Sequence, residues 1–395
     1  MFERLPQFTA DPILALIGRY ASDKRSQKID LGVGVYKNEA GETPVLKAVK
    51  AAEDILFKTQ TTKTYLGASG NTDYSGNLKA LILGEQVQTE AGARIVAFQS
   101  VGGTGALRLA ADLLTKVEPH GSIWVGTPTW PNHLAIFQAV GLKIESYVYV
   151  APLQQEVDFA QVLDAAKRAQ KGDAFLIHAC CHNPTGIDFS HAQVDELLAV
   201  LRERGVFPLV DCAYAGFAKG FAEDLYIVRK VMAEFDEALV CFSCSKNFGL
   251  YRERVGLVLV KAPEAALVPN LTLGLSSVAR ANYSMPPDHG AATVATILGS
   301  QELKVLWLEE LEQIRREIVR KRERLASYRT NTPVFHNIPA QNGMFSLLPL
   351  KTEITVKLRD EFGIYMTSNA RINVLGVADS QEQYLIESVA KALAD

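Results

Sequence analysis

The segment Ser243-Cys244-Ser245-Lys246-Asn247-Phe248-Gly249 sets a lysine among hydroxyls, with Arg252 and Arg254 close behind. A lysine that is to attack a carbonyl must be held neutral by its surroundings. A phosphate bound beside it needs a hydroxyl and a guanidinium. Ser243 and Arg254 lie close enough to Lys246 in sequence to supply both. The plain alternative is a surface lysine beside a solvated arginine turn. Further upstream, Gly102-Gly103-Thr104-Gly105-Ala106-Leu107 follows the apolar run Ile95-Val96-Ala97-Phe98 and opens a helical pattern. Small residues let a backbone approach a phosphate, and a helix start offers free N–H groups and a favourable dipole. Arg108 stands where a full G-x-G-x-x-G would need glycine, and G-x-x-x-x-G-K-[ST] is absent. Dinucleotide and nucleotide-triphosphate readings are disfavoured; a single phosphate or a plain tight turn remains.

Three more polar positions follow apolar runs. Asp211 ends Pro208-Leu209-Val210, with Tyr214 three residues on. A carboxylate there is costly unless it meets a positive charge, such as a protonated ring nitrogen, or caps the next turn. Asn183, in Cys181-His182-Asn183-Pro184-Thr185-Gly186, is either a ligand donor or part of a turn. Trp130, in Trp130-Pro131-Asn132-His133, can pack on a planar ligand or fill the core. Cys241-x-x-Cys244 has no second ligand pair at metal spacing, since Cys180-Cys181-His182 does not supply one. The five cysteines therefore read as buried apolar thiols in a reducing cytoplasm, and no metal is expected.

The elements that must carry these groups are short apolar strands between helical stretches. Ser122–Val125, Lys143–Val150, Ala174–Ile177, Phe207–Val210, Ala238–Phe242 and Val255–Val260 join Ile95–Phe98 as strands. This pattern predicts an α/β domain with a largely parallel sheet, whose ligand sits at the carboxyl ends of the strands. Residues 301–329 predict one long helix. Its arginines and lysines, interleaved with Glu309, Glu310, Glu312, Glu317 and Glu323, read as a solvated face rather than a nucleic-acid surface. The chain has 395 residues and a formal net charge of −3, so a basic excess for nucleic acid is lacking. It also has no apolar run long enough to span a membrane and no signal-peptide pattern at its start. The expected division is a large cofactor-binding domain, residues 41–304, and a smaller α/β domain built from both termini, residues 1–40 with an N-terminal arm and 305–395.

Taken together, these motifs resemble the class I aminotransferases that use pyridoxal 5′-phosphate, in the group acting on aspartate and aromatic amino acids. The resemblance runs from Asp11 to Val374 and includes Leu31-Gly32-Val33-Gly34-Val35-Tyr36-Lys37 and Arg280-Ala281-Asn282-Tyr283-Ser284. It implies the type I fold of pyridoxal-phosphate enzymes. It implies that Lys246 holds the cofactor and moves the proton. Asp211 keeps the ring nitrogen protonated, Tyr214 and Asn183 bond the ring oxygen, and Trp130 stacks on the ring. Gly103, Thr104, Ser243 and Arg254 match phosphate ligands, and His133 and His178 stand behind the ring. Arg371 matches the grip on the substrate α-carboxylate, and Gly34 lines the same pocket. Trp130 and Asn183 border the substrate as well. Tyr65, a cofactor contact, and Arg280 and Ser284 come from a partner subunit, which implies a homodimer with shared active sites.

Against the family pattern, Ala215 replaces a usual glutamine and Met285 a usual asparagine or serine, and the chain looks short between Leu350 and Val356. Val35, Lys37, Thr43 and Thr104 are closer to the aspartate pattern than to the tyrosine pattern. The resemblance therefore implies a ping-pong aminotransferase that moves the amino group of aspartate, and of aromatic amino acids, to 2-oxoglutarate. The alternatives are an aromatic aminotransferase with aspartate as a minor substrate and a pyridoxal-phosphate lyase or decarboxylase. A non-catalytic binding module and a nicotinamide dehydrogenase fit the residues less well.

Overall fold

The computed structural model describes residues 2–5, 7, 12–328 and 333–394. Asp11, where the resemblance begins, Arg329, the expected end of the long helix, and the terminal residues of the expected small domain lie outside the described residues. The strands in chain order are β1 (Ile29–Asp30), β2 (Ile95–Val101), β3 (Ser122–Thr127), β4 (Lys143–Val148), β5 (Ala174–His178) and β6 (Phe207–Cys212). They continue with β7 (Ala238–Ser243), β8 (Val255–Lys261), β9 (Phe345–Leu347), β10 (Ile364–Tyr365) and β11 (Arg371–Asn373).

Seven strands form one sheet in the order β2-β8-β7-β6-β5-β3-β4. Every pair from β7 to β4 is parallel, and β8 runs antiparallel to both its neighbours. The sheet is an α/β fold, as the alternation of apolar runs and helical stretches predicts. Its strands feed two cores, one on each face. Phe175, Ile177 and Val210 pack on one side, while Leu176 and Leu209 pack on the other. Both faces being covered explains the near-continuous apolar runs. The edge strand β4 is the exception, with Lys143 exposed.

The parallel pairing puts the ends of β3, β5, β6 and β7 on one edge, and β2 ends there as well because β8 reverses twice between it and β7. Two further sheets bring in the termini. β1 pairs parallel with β10, and β11 pairs antiparallel with β9, setting Arg371 opposite Leu347 and Asn373 opposite Phe345.

The long helix spans Gln301–Ser327. Trp307 on it donates its indole N–H to the Asn247 carbonyl at 2.7 Å and stacks on Phe248 at 4.3 Å, bracing the turn after Lys246. Glu312 pairs with Arg315 and Arg316, as a solvated face requires. Lys321 and Arg322 correct that expectation: each is only 2% exposed. Arg322 donates to the carbonyls of Ile338, Asn342, Gly343 and Phe345 and to Ser346 Oγ. Lys321 meets the Val377 carbonyl and the carboxylates of Glu39, Asp379 and Glu382. A helix, Thr352–Phe362, starts within the segment that looked short.

Candidate active site

A cleft of about 250 Å³ opens at the carboxyl edge of the large sheet. Gly34, Gly103, Thr104, Trp130, Asn183, Asp211, Tyr214, Ser243, Lys246, Arg254 and Arg371 all line it. Eleven positions scattered over more than three hundred residues thus meet because strand ends and the β9–β11 pair converge there.

Lys246 follows β7 in a turn secured by the Phe248 N–H to the Cys244 carbonyl. Its ammonium lies 4.8 Å from the centroid of the Tyr214 ring. Burial lowers its pKa from 10.5 to about 8, despite the opposing pull of Asp211; the charges of Arg254 and Arg371 push the same way as burial. At neutral pH the amine is within reach of its neutral, nucleophilic form.

Asp211 sits at the end of β6, buried. Burial alone would raise its carboxyl, but the hydrogen bond from His133 Nε2, at 3.0 Å, and nearby positive charge including Lys246 hold it below the usual carboxylate range. Since an ionised carboxylate only accepts, His133 Nε2 is the donor, and His133 Nδ1 is bonded to Thr129 Oγ1 at 2.8 Å. His178, on β5, approaches the same hydroxyl at 3.4 Å. Burial lowers His178 to about 3, so it stays neutral. Trp130 packs edge-on against His133 at 5.3 Å between centroids. The aspartate is therefore a fixed anion facing the cleft rather than a turn cap.

One corner of the cleft suits a phosphate dianion. The helix Gly102–Val117 starts there, with Thr104 in its first turn and the hydroxyls of Ser243 and Ser245 facing it. Arg254 adopts φ +53°, and its guanidinium reaches Ser245 Oγ at 3.4 Å and the Tyr251 carbonyl at 3.1 Å. A β-carbon at Gly102, itself at φ +66°, would run into that guanidinium. The corner is thus shaped by a missing side chain and charged by a present one.

Arg371 donates through Nη2 to the Gly32 carbonyl at 2.8 Å and through Nη1 to Asn183 Oδ1 at 3.2 Å. With its oxygen engaged, Asn183 keeps its amide N–H groups as the donors available to a ligand. The Arg371 guanidinium also lies 4.3 Å from the centroid of the Phe345 ring, which meets Tyr214 edge-on at 5.9 Å. Phe345, Tyr251, Ser245, Leu107, Ala213 and Ile13 complete the lining and are absent from the sequence-based site. Ser245 and Tyr251 lie beside the lysine motif and were within reach of that reading. Phe345 is one phenylalanine among many and carries no signal of its own.

Tyr65 and Arg280 do not line this cleft. Tyr65 is 90% exposed, and Arg280, also exposed, bonds Ser284 Oγ at 3.3 Å. Arg280 lies in the last turn of the helix Val268–Asn282. The segments that follow Tyr65 and Arg280 are tied together: the Leu66 N–H meets Met285 Sδ at 3.0 Å, and the buried Gln99 bonds both Asn71 N and the Pro287 carbonyl. Thr43 bonds the Tyr36 carbonyl at 2.8 Å, and Lys37 pairs with Asp30. Among the described residues, no helix is long and apolar enough to cross a membrane.

A neutralisable lysine, a fixed carboxylate and a phosphate corner form the setting of a pyridoxal-phosphate enzyme, and the Arg371 guanidinium lines the same cleft. Residues 26–389 match the family described as aminotransferase class I and II, so the chain belongs to that family. It is 44% identical to a tyrosine aminotransferase of Rhizobium meliloti, over 96% of this chain and 97% of that protein. It is 42% identical to an aspartate aminotransferase of Haemophilus influenzae, over the full length of both. An aromatic-amino-acid aminotransferase from Burkholderia pseudomallei, solved covalently bound to pyridoxal phosphate, superposes with a TM-score of 0.94 at 35% identity, covering 100% of this chain and 99% of that one. The protein is a pyridoxal-phosphate-dependent aminotransferase of the aspartate and aromatic amino acid group.

Proposed function

We propose that the protein transfers the amino group of aspartate, and more slowly of aromatic amino acids, to 2-oxoglutarate in a ping-pong cycle. The observation that carries this reading is one cleft holding the Lys246 amine, the Asp211 carboxylate and the Arg371 guanidinium. Pyridoxal phosphate, when bound, supplies an aldehyde for Lys246 and a ring that takes up the electron pair of a broken substrate bond.

The chain's own groups do the rest. Arg371 binds the α-carboxylate as a planar fork and orients the Cα–H bond. Lys246 Nζ, with a pKa of about 8, takes the Cα proton and gives it back. Asp211, held by His133, keeps a proton on the ring nitrogen. Asn183 and Tyr214 would donate to the ring oxygen, and Trp130 would pack on the ring. The Gly103 and Thr104 backbone, the Ser243 hydroxyl and Arg254 would hold the phosphate.

Tyr65 and Arg280 act in the cleft of a second copy. Their exposure, their absence from the lining of their own cleft and the bonds tying together the segments that follow them support a homodimer. Arg280 then receives the side-chain carboxylate of aspartate. The pairing of β1 with β10 supports a small domain of residues 1–40 and 305–395 beside a large one of 41–304. Five buried free thiols fit the cytoplasm.

Initial rates with aspartate, tyrosine and phenylalanine as donors to 2-oxoglutarate test the substrate order. The highest kcat/KM is expected for aspartate. A higher value for tyrosine or phenylalanine would make the aromatic reading the correct one.

A further inference from the structure

Residues 31–38 contain no helix or strand, yet they carry Gly34 on the cleft wall and the Gly32 carbonyl that holds Arg371. Side chains secure this segment. Asp30 Oδ1 accepts the Gly32 N–H at 3.0 Å, and Asp30 Oδ2 receives the Lys37 ammonium at 3.0 Å. Lys37 also reaches the Asp30 carbonyl at 3.4 Å. The two side chains are 18% and 11% exposed, so solvent and salt screen this pair less than a surface pair. From the other side, Asn373, two residues beyond Arg371 on β11, donates to the Val33 and Val35 carbonyls at 2.8 Å each. The ion pair thus closes the two ends of a loop that Asn373 stitches to the strand bearing Arg371.

We propose that Asp30 and Lys37 are positioning residues: their pair is a clasp that sets the Gly32 carbonyl, and through it Arg371. This rests on Arg371 being the α-carboxylate grip. Lys37 then acts on the end common to every amino acid substrate and does not discriminate between aspartate and aromatic side chains, because its charge is matched within the chain by Asp30.

The test compares Lys37→Met, Asp30→Asn and the double variant. Asp30→Asn keeps an oxygen for the Gly32 N–H and removes the ion pair. Lys37→Met is expected to raise KM about three- to tenfold for aspartate and phenylalanine alike, with kcat within about twofold, as for a grip displaced by a fraction of an ångström. The double variant is expected to be no worse than the weaker single one, since both remove the same contact. Amide hydrogen exchange of residues 32–35 in cofactor-free protein is expected to quicken in Lys37→Met. A loss confined to aspartate would overturn the proposal by making Lys37 a side-chain ligand. Unchanged KM with only a lowered Tm would overturn it as well. Unchanged exchange would overturn the clasp alone. Arg371→Leu with unaltered KM for both substrates would instead overturn the assignment of Arg371, and the functional half of the proposal with it.

Discussion

Replacing Lys246 by methionine should stabilise the cofactor-free protein at pH 7. Methionine keeps the length and apolar stem of lysine but carries no charge that burial penalises. Burial takes the lysine from 10.5 to about 8, which corresponds to about 3 kcal/mol against the ammonium form. The residue is partly exposed to an open cleft, so solvent screens part of this, and about 2 kcal/mol is expected. The sign follows from proton uptake. Between about pH 8 and pH 10.5 the unfolded chain holds a proton on this lysine that the folded chain has released, so wild-type stability gains with rising pH across that window. Below pH 8 the full penalty is present. Urea unfolding of both proteins, freed of cofactor, at pH 7 and pH 10 measures it. The Lys246→Met variant should be more stable at pH 7, and its advantage should shrink towards pH 10. A variant less stable than wild type at pH 7, or an advantage independent of pH, would refute the argument that this amine is stored against burial for reaction.

Arg280→Ala should lower kcat/KM for aspartate about 100-fold, the loss of one desolvated charge pair, and leave phenylalanine within a few fold; steady-state rates with the two donors check it, and equal losses would remove Arg280 from its role. Gly34→Ala would place a β-carbon 2.7 Å from Phe345 Cζ, forcing the ring that Arg371 stacks on to move. Overpacking of this kind costs about 1–3 kcal/mol. KM should rise about tenfold for aspartate and phenylalanine together, which a titration of each donor would reveal.

Much of this was legible in the chain because it is local. Six of the seven strands of the large sheet come from apolar runs visible in the sequence, the edge strand β4 comes from an alternating one, and Gly103, Asn183, Asp211 and Ser243 each follow or end an apolar run. Parallel pairing then carries them to one edge without further instruction. What escaped was non-local. Lys321 and Arg322 look like any solvated pair on a charged helix, and their burial depends on carbonyls at 338–345 and on Val377, which no spacing announces. Phe345 matters because the β9–β11 register sets it beside Arg371. Lys37 resembles a substrate-selecting residue until its partner Asp30, seven positions earlier, is seen across the turn.

In the proposed function, Lys246 drives exchange of an amino group between two acids. Aspartate labelled with ¹⁵N, incubated with 2-oxoglutarate and holoenzyme, should yield ¹⁵N-glutamate in step with oxaloacetate, and Lys246→Ala should lower that rate by about 10³-fold or more. Label released as ammonia, or a Lys246→Ala rate near that of wild type, would contradict it.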